Sequence, residues 1–149
     1  MIHVESDLRP SPVAAELIEG AAAAVLVHES TQGDLTIVLT DDDQLQQLNR
    51  KYLGIDAPTD VLSFPAAEMD PDSRRAYLGD VLISVPRAQA QAAAAGHPLE
   101  SEVQLLAVHG VLHLLGFDHG QTEERARMWS VQNEVLGSIG LAGIRINET

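Results

Sequence analysis

The run Leu105-Leu106-Ala107-Val108-His109-Gly110-Val111-Leu112-His113-Leu114-Leu115 is apolar on nearly every side of the helix it predicts. A helix of that kind is buried. Two histidines nevertheless interrupt it, His109 and His113, four apart and so on one face about a turn from each other. A buried imidazole needs a partner, and the next residues supply candidates. Gly116 can give the left-handed cap that ends the helix, and Phe117-Asp118 then lead to His119. The pattern is His-x3-His-x2-Gly-x2-His. Two imidazole nitrogens on one rigid face can meet one ion, and the turn lets a third approach from another direction. Three neutral imidazoles leave one tetrahedral position open for water, the arrangement of a catalytic rather than a structural zinc. The last turns of a helix also favour a cation through the dipole. Copper, nickel or iron suit the same donors. His3, His28 and His97 are isolated and read as surface residues.

Composition narrows the chemistry further. The chain has no cysteine, which excludes disulfide frameworks, thiolate nucleophiles, iron–sulfur clusters and sulfur-ligated zinc fingers. Any metal must therefore be held by histidines and carboxylates. Nine Lys+Arg stand against 22 Asp+Glu, a formal charge of -13, and the long-range repulsion of phosphate backbones by such a surface argues against a general nucleic-acid coat protein. A local basic groove is not excluded, and two basic pairs offer one: Arg50-Lys51 and Arg74-Arg75. The N-terminus lacks a basic region followed by an apolar stretch. No apolar run approaches the roughly 18 residues of a membrane helix. The reading is a soluble, cytoplasmic protein without a membrane partner. With 149 residues and 45% apolar content the chain fits one domain, residues 1–149, with a core of Leu, Val, Ile and Ala.

Periodicity predicts alternating strands and helices. Ile2 to Glu5 reads as a strand. Pro12 opens a helix with Val13, Leu17, Ile18, Ala21 and Val25 inward, its Ala21–Ala24 run being a tightly packed middle. Leu35 to Leu39 is the clearest strand. Thr40 caps a helix from Asp41 to Tyr52, with Leu45, Leu48 and Tyr52 inward. Val61 to Phe64 is a short strand closed by Pro65, and Ala66 to Tyr77, with Asp70-Pro71-Asp72, is irregular and exposed. Val81 to Val85 is apolar enough to lie centrally in a sheet. Pro86 starts a short helix ending at Gly96, and Pro98 starts the histidine helix. Thr122 caps the last helix, with a stripe of Met128, Val131, Val135, Leu136 and Ile139. The expected fold is α+β (mixed α/β), about four strands in a mixed sheet packed with about five helices.

The histidine spacing matches the long zincin motif of metalloproteases, His-Glu-x-x-His-x-x-Gly-x-x-His, with Gly110 in place of the general-base Glu. Without that carboxylate a peptidase reading loses its main support. The block His109 to His119 instead resembles the signature of the YbeY family of bacterial rRNA-maturation endoribonucleases. Pro58-Thr59-Asp60-Val61-Leu62-Ser63-Phe64-Pro65 is similar to a second block of that family, Gly79-Asp80-Val81-Leu82-Ile83-Ser84 to a third, and Leu48-Asn49 with Tyr52 to a fourth. The resemblance implies a zincin-like fold with one zinc held by His109, His113 and His119. It implies a single-strand-specific endoribonuclease acting on the 3′ end of small-subunit rRNA and in ribosome quality control. Its implied partners are precursor rRNA, the small ribosomal subunit with its proteins, and assembly factors including a GTPase.

One position departs from the family. Many members carry an Arg directly after the Tyr of the fourth block, implicated in activity, and here that residue is Leu53. Leucine cannot pair with a phosphate. Arg50, one turn earlier on the same face, is the expected substitute, with Lys51 less direct. Ser63 is expected to line the cleft and Asp118, beside His119, to orient a ligand or move a proton. A turn-forming role for Asp118 and a plain hydrogen-bonding role for Ser63 are the competing readings. Asp80 reads as a strand-entry residue. The metal could activate water as nucleophile or stabilise charge while the RNA 2′-OH attacks, and the sequence is compatible with both. Two other functions fit the same residues: a non-catalytic ribosome-assembly factor with a structural zinc, and a metal-dependent hydrolase of another substrate.

Overall fold

A computed structural model describes residues 1–69 and 76–144, with only the backbone of 67–69. In β2 (Asp34–Thr40), Leu35, Ile37 and Leu39 are fully buried and the residues between them half-buried. That is the period of two that a strand with one core face requires. β2 pairs in parallel with β1 (Ile2–Ser6) and with β4 (Ala76–Ser84), and β4 pairs antiparallel with β3 (Val61–Met69). The sheet order is β1-β2-β4-β3, so the apolar strand Val81–Ser84 is central, as expected. Ile37 lies beside Val81 and Leu39 beside Ile83, which concentrates four fully buried aliphatic side chains on one face.

Against that face lies α4 (Leu99–Leu114). It also packs on α1 (Ala15–His28), α3 (Val85–Ala95) and α5 (Thr122–Ser138). Val103, Leu105, Leu106, Ala107, Val108, Val111 and Leu112 have no exposed surface. Burial of each Leu or Val contributes about 1.5–3 kcal/mol, so the other elements order around this helix. It packs tightly on the sheet at Gly110. There Ser63 Oγ donates to the Gly110 carbonyl at 2.8 Å, fixing the helix to β3. α2 (Asp42–Leu53) packs on β3, β4 and α3.

Among the described residues, four strands and five helices stand where a mixed α/β chain was expected, but several boundaries move. β3 continues past Pro65 to Met69 and β4 begins at Ala76, so 66–69 and 76–77 are strand rather than irregular. Proline is tolerated because β3 is an edge strand, and the pairing shifts register between Pro65 and Glu68. Asp70-Pro71-Asp72 and Arg74-Arg75 lie outside the described residues. The cap of α2 is Asp41 rather than Thr40, its carboxylate accepting from Gln44 N–H at 2.9 Å. Tyr52 is 58% exposed rather than inward; the buried Asn49 faces in with Leu45 and donates to the Ala57 carbonyl at 3.0 Å. α1 begins at Ala15, not Pro12, and its Leu17 is exposed. Val85 belongs to α3, which Ser84 caps, and Gln121 rather than Thr122 precedes α5. His97 is no surface residue: its Nε2 meets the carboxylate of the buried Glu102 at 2.6 Å. Among the described residues no helix is long and apolar enough to cross a membrane.

Candidate metal centre

The histidine site is made by the end of α4. After Leu115, Gly116 takes φ 97°, and the chain closes with two reverse hydrogen bonds. Phe117 N–H donates to the Leu112 carbonyl at 3.1 Å and Gly116 N–H to the His113 carbonyl at 3.0 Å. This is the paired closure of a Schellman turn, which satisfies the helix's last carbonyls and reverses the chain. His119 is thereby carried back to the face that holds His109 and His113. One ligand nitrogen from each of the three lies within 4.8 Å of the others. His109 Nε2 and His113 Nε2 are 3.1 Å apart. Zinc–nitrogen bonds of about 2.0–2.1 Å at tetrahedral angles require donors roughly 3.3 Å apart, so the pair fits such an ion.

Protonation favours the same use. Burial, reinforced by the neighbouring His113 and His119, pushes the pKa of His109 down to about 3, against a weaker opposing effect of its hydrogen bond to Gln132. Burial and then His119 lower His113. Both rings are therefore neutral at neutral pH, the form in which imidazole binds metal.

α5 supplies the far wall through Arg125, Trp129 and Gln132, three residues on one helical face. Gln132 Oε1 accepts from His109 Nδ1 at 2.9 Å. The Trp129 ring lies 5.7 Å from that of His109 and 5.5 Å from that of His119. Arg125 Nε donates to the His119 carbonyl at 3.2 Å. None of the three stood out in the sequence. One signal was there: Gln132 is a polar residue inside the otherwise apolar stripe of Met128, Val135 and Leu136, and it is 2% exposed.

The remaining candidates are placed differently. Asp118 Oδ1 accepts the backbone N–H of His119 at 2.7 Å, so its carboxylate shapes the turn that carries a ligand. Ser63 is bonded to the backbone of α4 one residue from His109. Arg50 and Lys51 sit in the last turn of α2. The ring of Tyr52 meets that of Phe64 at 5.5 Å, and Phe64 alternates with Ser63, so this contact lies on the sheet face away from α4. Lys51 Nζ stands 5.2 Å from the Tyr52 ring centroid. Arg50 borders a shallow surface depression with Asp43, Gln46, Gln47 and Asp56. No described contact joins these basic residues to the histidines.

Gly110 occupies the position of a zincin's general base, and its surroundings show why no carboxylate is there. A Cβ at 110 would stand 2.5 Å from Val81 Cγ1 and 3.3 Å from both Ser63 Oγ and Val61 Cγ2. The position points into the sheet.

The sequence profile of the family described as Endoribonuclease YbeY matches residues 5–140, which include the three histidines and the whole face of α5. The chain belongs to the YbeY family. Curated relatives described as Endoribonuclease YbeY agree along most of its length. That of Persephonella marina is 39% identical over 140 residues, covering 93% of this chain and 92% of the relative. That of Chloroflexus aurantiacus is 50% identical over 135 residues, covering 85% and 87%. Among solved structures, the solution structure of TM1509 from Thermotoga maritima superposes with a TM-score of 0.58 at 26% identity. It covers 93% of this chain and 91% of that one. The YbeY resemblance read from four sequence blocks is thus confirmed along nearly the whole chain, and the mixed four-stranded sheet with it.

Proposed function

We propose that the chain is a metal-dependent, single-strand-specific endoribonuclease that matures the 3′ end of small-subunit rRNA and takes part in ribosome quality control. One zinc ion is held by His109, His113 and His119. The observation that carries this is the convergence of three imidazoles, two of them held neutral by burial, in a chain whose family is named for RNA cleavage. When bound, the ion supplies Lewis acidity toward the phosphodiester and stabilises the charge that develops on it. The chain's own residues hold the geometry: the Schellman turn and Asp118 set the path of His119, and Arg125 ties down its carbonyl. Arg50 and Lys51, at the end of α2 and away from the histidines, contribute positive charge for a stretch of RNA backbone distant from the scissile phosphodiester, in a chain of net charge -13. The work is cytoplasmic, with precursor rRNA, the small ribosomal subunit and its assembly factors as partners. Arg50→Ala is expected to weaken RNA binding, and unchanged binding and cleavage would remove Arg50 from this reading.

The alternative of a non-catalytic assembly factor draws on Leu53, which is 57% exposed and offers no phosphate contact where many relatives carry Arg. Metal content and cleavage of single-stranded rRNA, measured together on wild type and His113→Ala, decide between the two. The expected result is about one zinc per chain and cleavage in the wild type, with both lost in a folded variant. Zinc without cleavage selects the assembly factor. Cleavage that survives loss of the metal refutes the mechanism. Peptide hydrolysis, the remaining alternative, has no carboxylate at position 110 to support it.

A further inference from the structure

We propose that Gln132 is a positioning residue of the metal centre, whose side-chain carbonyl fixes His109 in the Nδ1–H tautomer and so commits Nε2 to the ion. The inference rests on the reading of the three imidazoles as a metal site. A neutral imidazole carries one N–H, and the nitrogen without it is the ligand. His109 could place that proton on either nitrogen. With Gln132 Oε1, a pure acceptor, 2.9 Å from Nδ1, the proton belongs on Nδ1. The lone pair then belongs on Nε2, the nitrogen 3.1 Å from His113 Nε2. Metal-bound histidines are generally oriented in this way by an acceptor on their other nitrogen.

The setting argues for a dedicated role. Gln132 lies among Met128, Val135 and Leu136, all essentially without exposed surface, and is itself 2% exposed. An apolar residue there would extend the core at no desolvation cost, whereas a buried amide is costly unless bonded. Its partner is the one histidine of the three that is buried. The amide is also neutral, so it orients the ligand without adding negative charge beside an ion that must attract a phosphodiester. A carboxylate at 132 would orient His109 equally and raise its basicity.

The test uses the full chain stripped of metal. Gln132→Leu removes the acceptor while filling the same apolar slot, and Gln132→Glu restores it. Two readouts are taken at neutral pH: the tautomer of His109 from long-range 15N–1H spectra of the metal-free proteins, and zinc affinity by competition with a chromophoric chelator. The expected result is Nδ1–H in wild type and Gln132→Glu, with the Nε2–H form appearing in Gln132→Leu. Zinc affinity should fall about 10–100-fold in Gln132→Leu and be kept or increased in Gln132→Glu. Thermal melting of Gln132→Leu at or above the wild-type midpoint accompanies this result; should that variant not fold, Gln132→Met replaces it. Zinc affinity of the apolar variant within twofold of wild type overturns the proposal. If wild type itself binds no zinc, the metal reading fails separately. The metal-free spectra still decide the role of Gln132, which an unchanged Nδ1–H signal in the apolar variant would refute.

Discussion

A side chain at position 110 must fit where a Cβ would stand 2.5 Å from Val81 Cγ1, between the histidine helix and the central strand. Alanine gains about 1 kcal/mol of helix propensity over glycine, but overpacking a tight core costs about 1–3 kcal/mol. Gly110→Ala is therefore expected to destabilise the fold by about 1 kcal/mol, read as a lower urea midpoint with unchanged slope. Gly110→Glu adds an unpaired carboxylate to the same contact. It should abolish folding rather than create a peptidase, as far-UV circular dichroism and a peptide-cleavage assay would show. The sequence makes the missing base visible at this position but not its cause, since close approach of helix and strand is a tertiary fact. The three histidines were legible because their spacing is a property of one helix and one turn. Gln132 and Trp129 were not, because they come from another helix.

At the scale of elements, the turn after α4 is where local sequence has most control over the site. Gly116 has φ 97° and open space where a Cβ would go, so substitution there costs backbone strain alone, about 1 kcal/mol for alanine. The strain falls on the two reverse hydrogen bonds that return His119 to the cluster. Gly116→Ala is thus expected to lose about 1 kcal/mol of stability, and to lose zinc affinity by a larger factor than that energy alone would give. Chelator competition beside denaturant melts measures both. The cap was readable because glycine in this role is a local signal. The antiparallel pairing of β3 with β4 was less readable: Pro65 looks like a strand end, and only the edge position of β3 makes it tolerable. In α2 the buried face runs through Leu45 and Asn49, four apart, and the polar Asn49 is not recognisable as inward from sequence because its partner, the Ala57 carbonyl, comes from the loop after the helix.

Across the whole molecule, buried titratable groups tie stability to pH with opposing signs. The folded chain holds His109 at about 3 and lowers His113 from an ordinary 6.5. As pH falls below about 6.5 the unfolded chain takes up protons on these residues that the folded chain refuses, so stability drops on acidification. The slope is about 1.4 kcal/mol per pH unit for each histidine protonated only when unfolded. Asp60 and Glu102 act the other way. Burial raises both carboxyls, so the folded chain binds their protons more readily, and acidification through their range relieves a cost present at neutral pH. That relief begins as pH falls through their raised folded values and is complete near the ordinary carboxyl value of about 4, so it offsets part of the loss from the two histidines, which starts near 6.5. The metal-free protein should therefore lose thermal stability from pH 7 to about 5. At roughly 2–4 °C per kcal/mol for a chain of this size, the fall should be several degrees, and zinc should delay it until protons displace the ion. Trp129 is the chain's one tryptophan and lies beside two of the rings, so its fluorescence reports both the site and the unfolding. His28, raised by its hydrogen bonds to Glu134 and Glu29, opposes His109 and His113 in this window, so the comparison is made in a His28→Gln background. There, a midpoint independent of pH between 7 and 5 in the metal-free protein would show that His109 and His113 are not held in the buried, neutral state from which the metal site is argued.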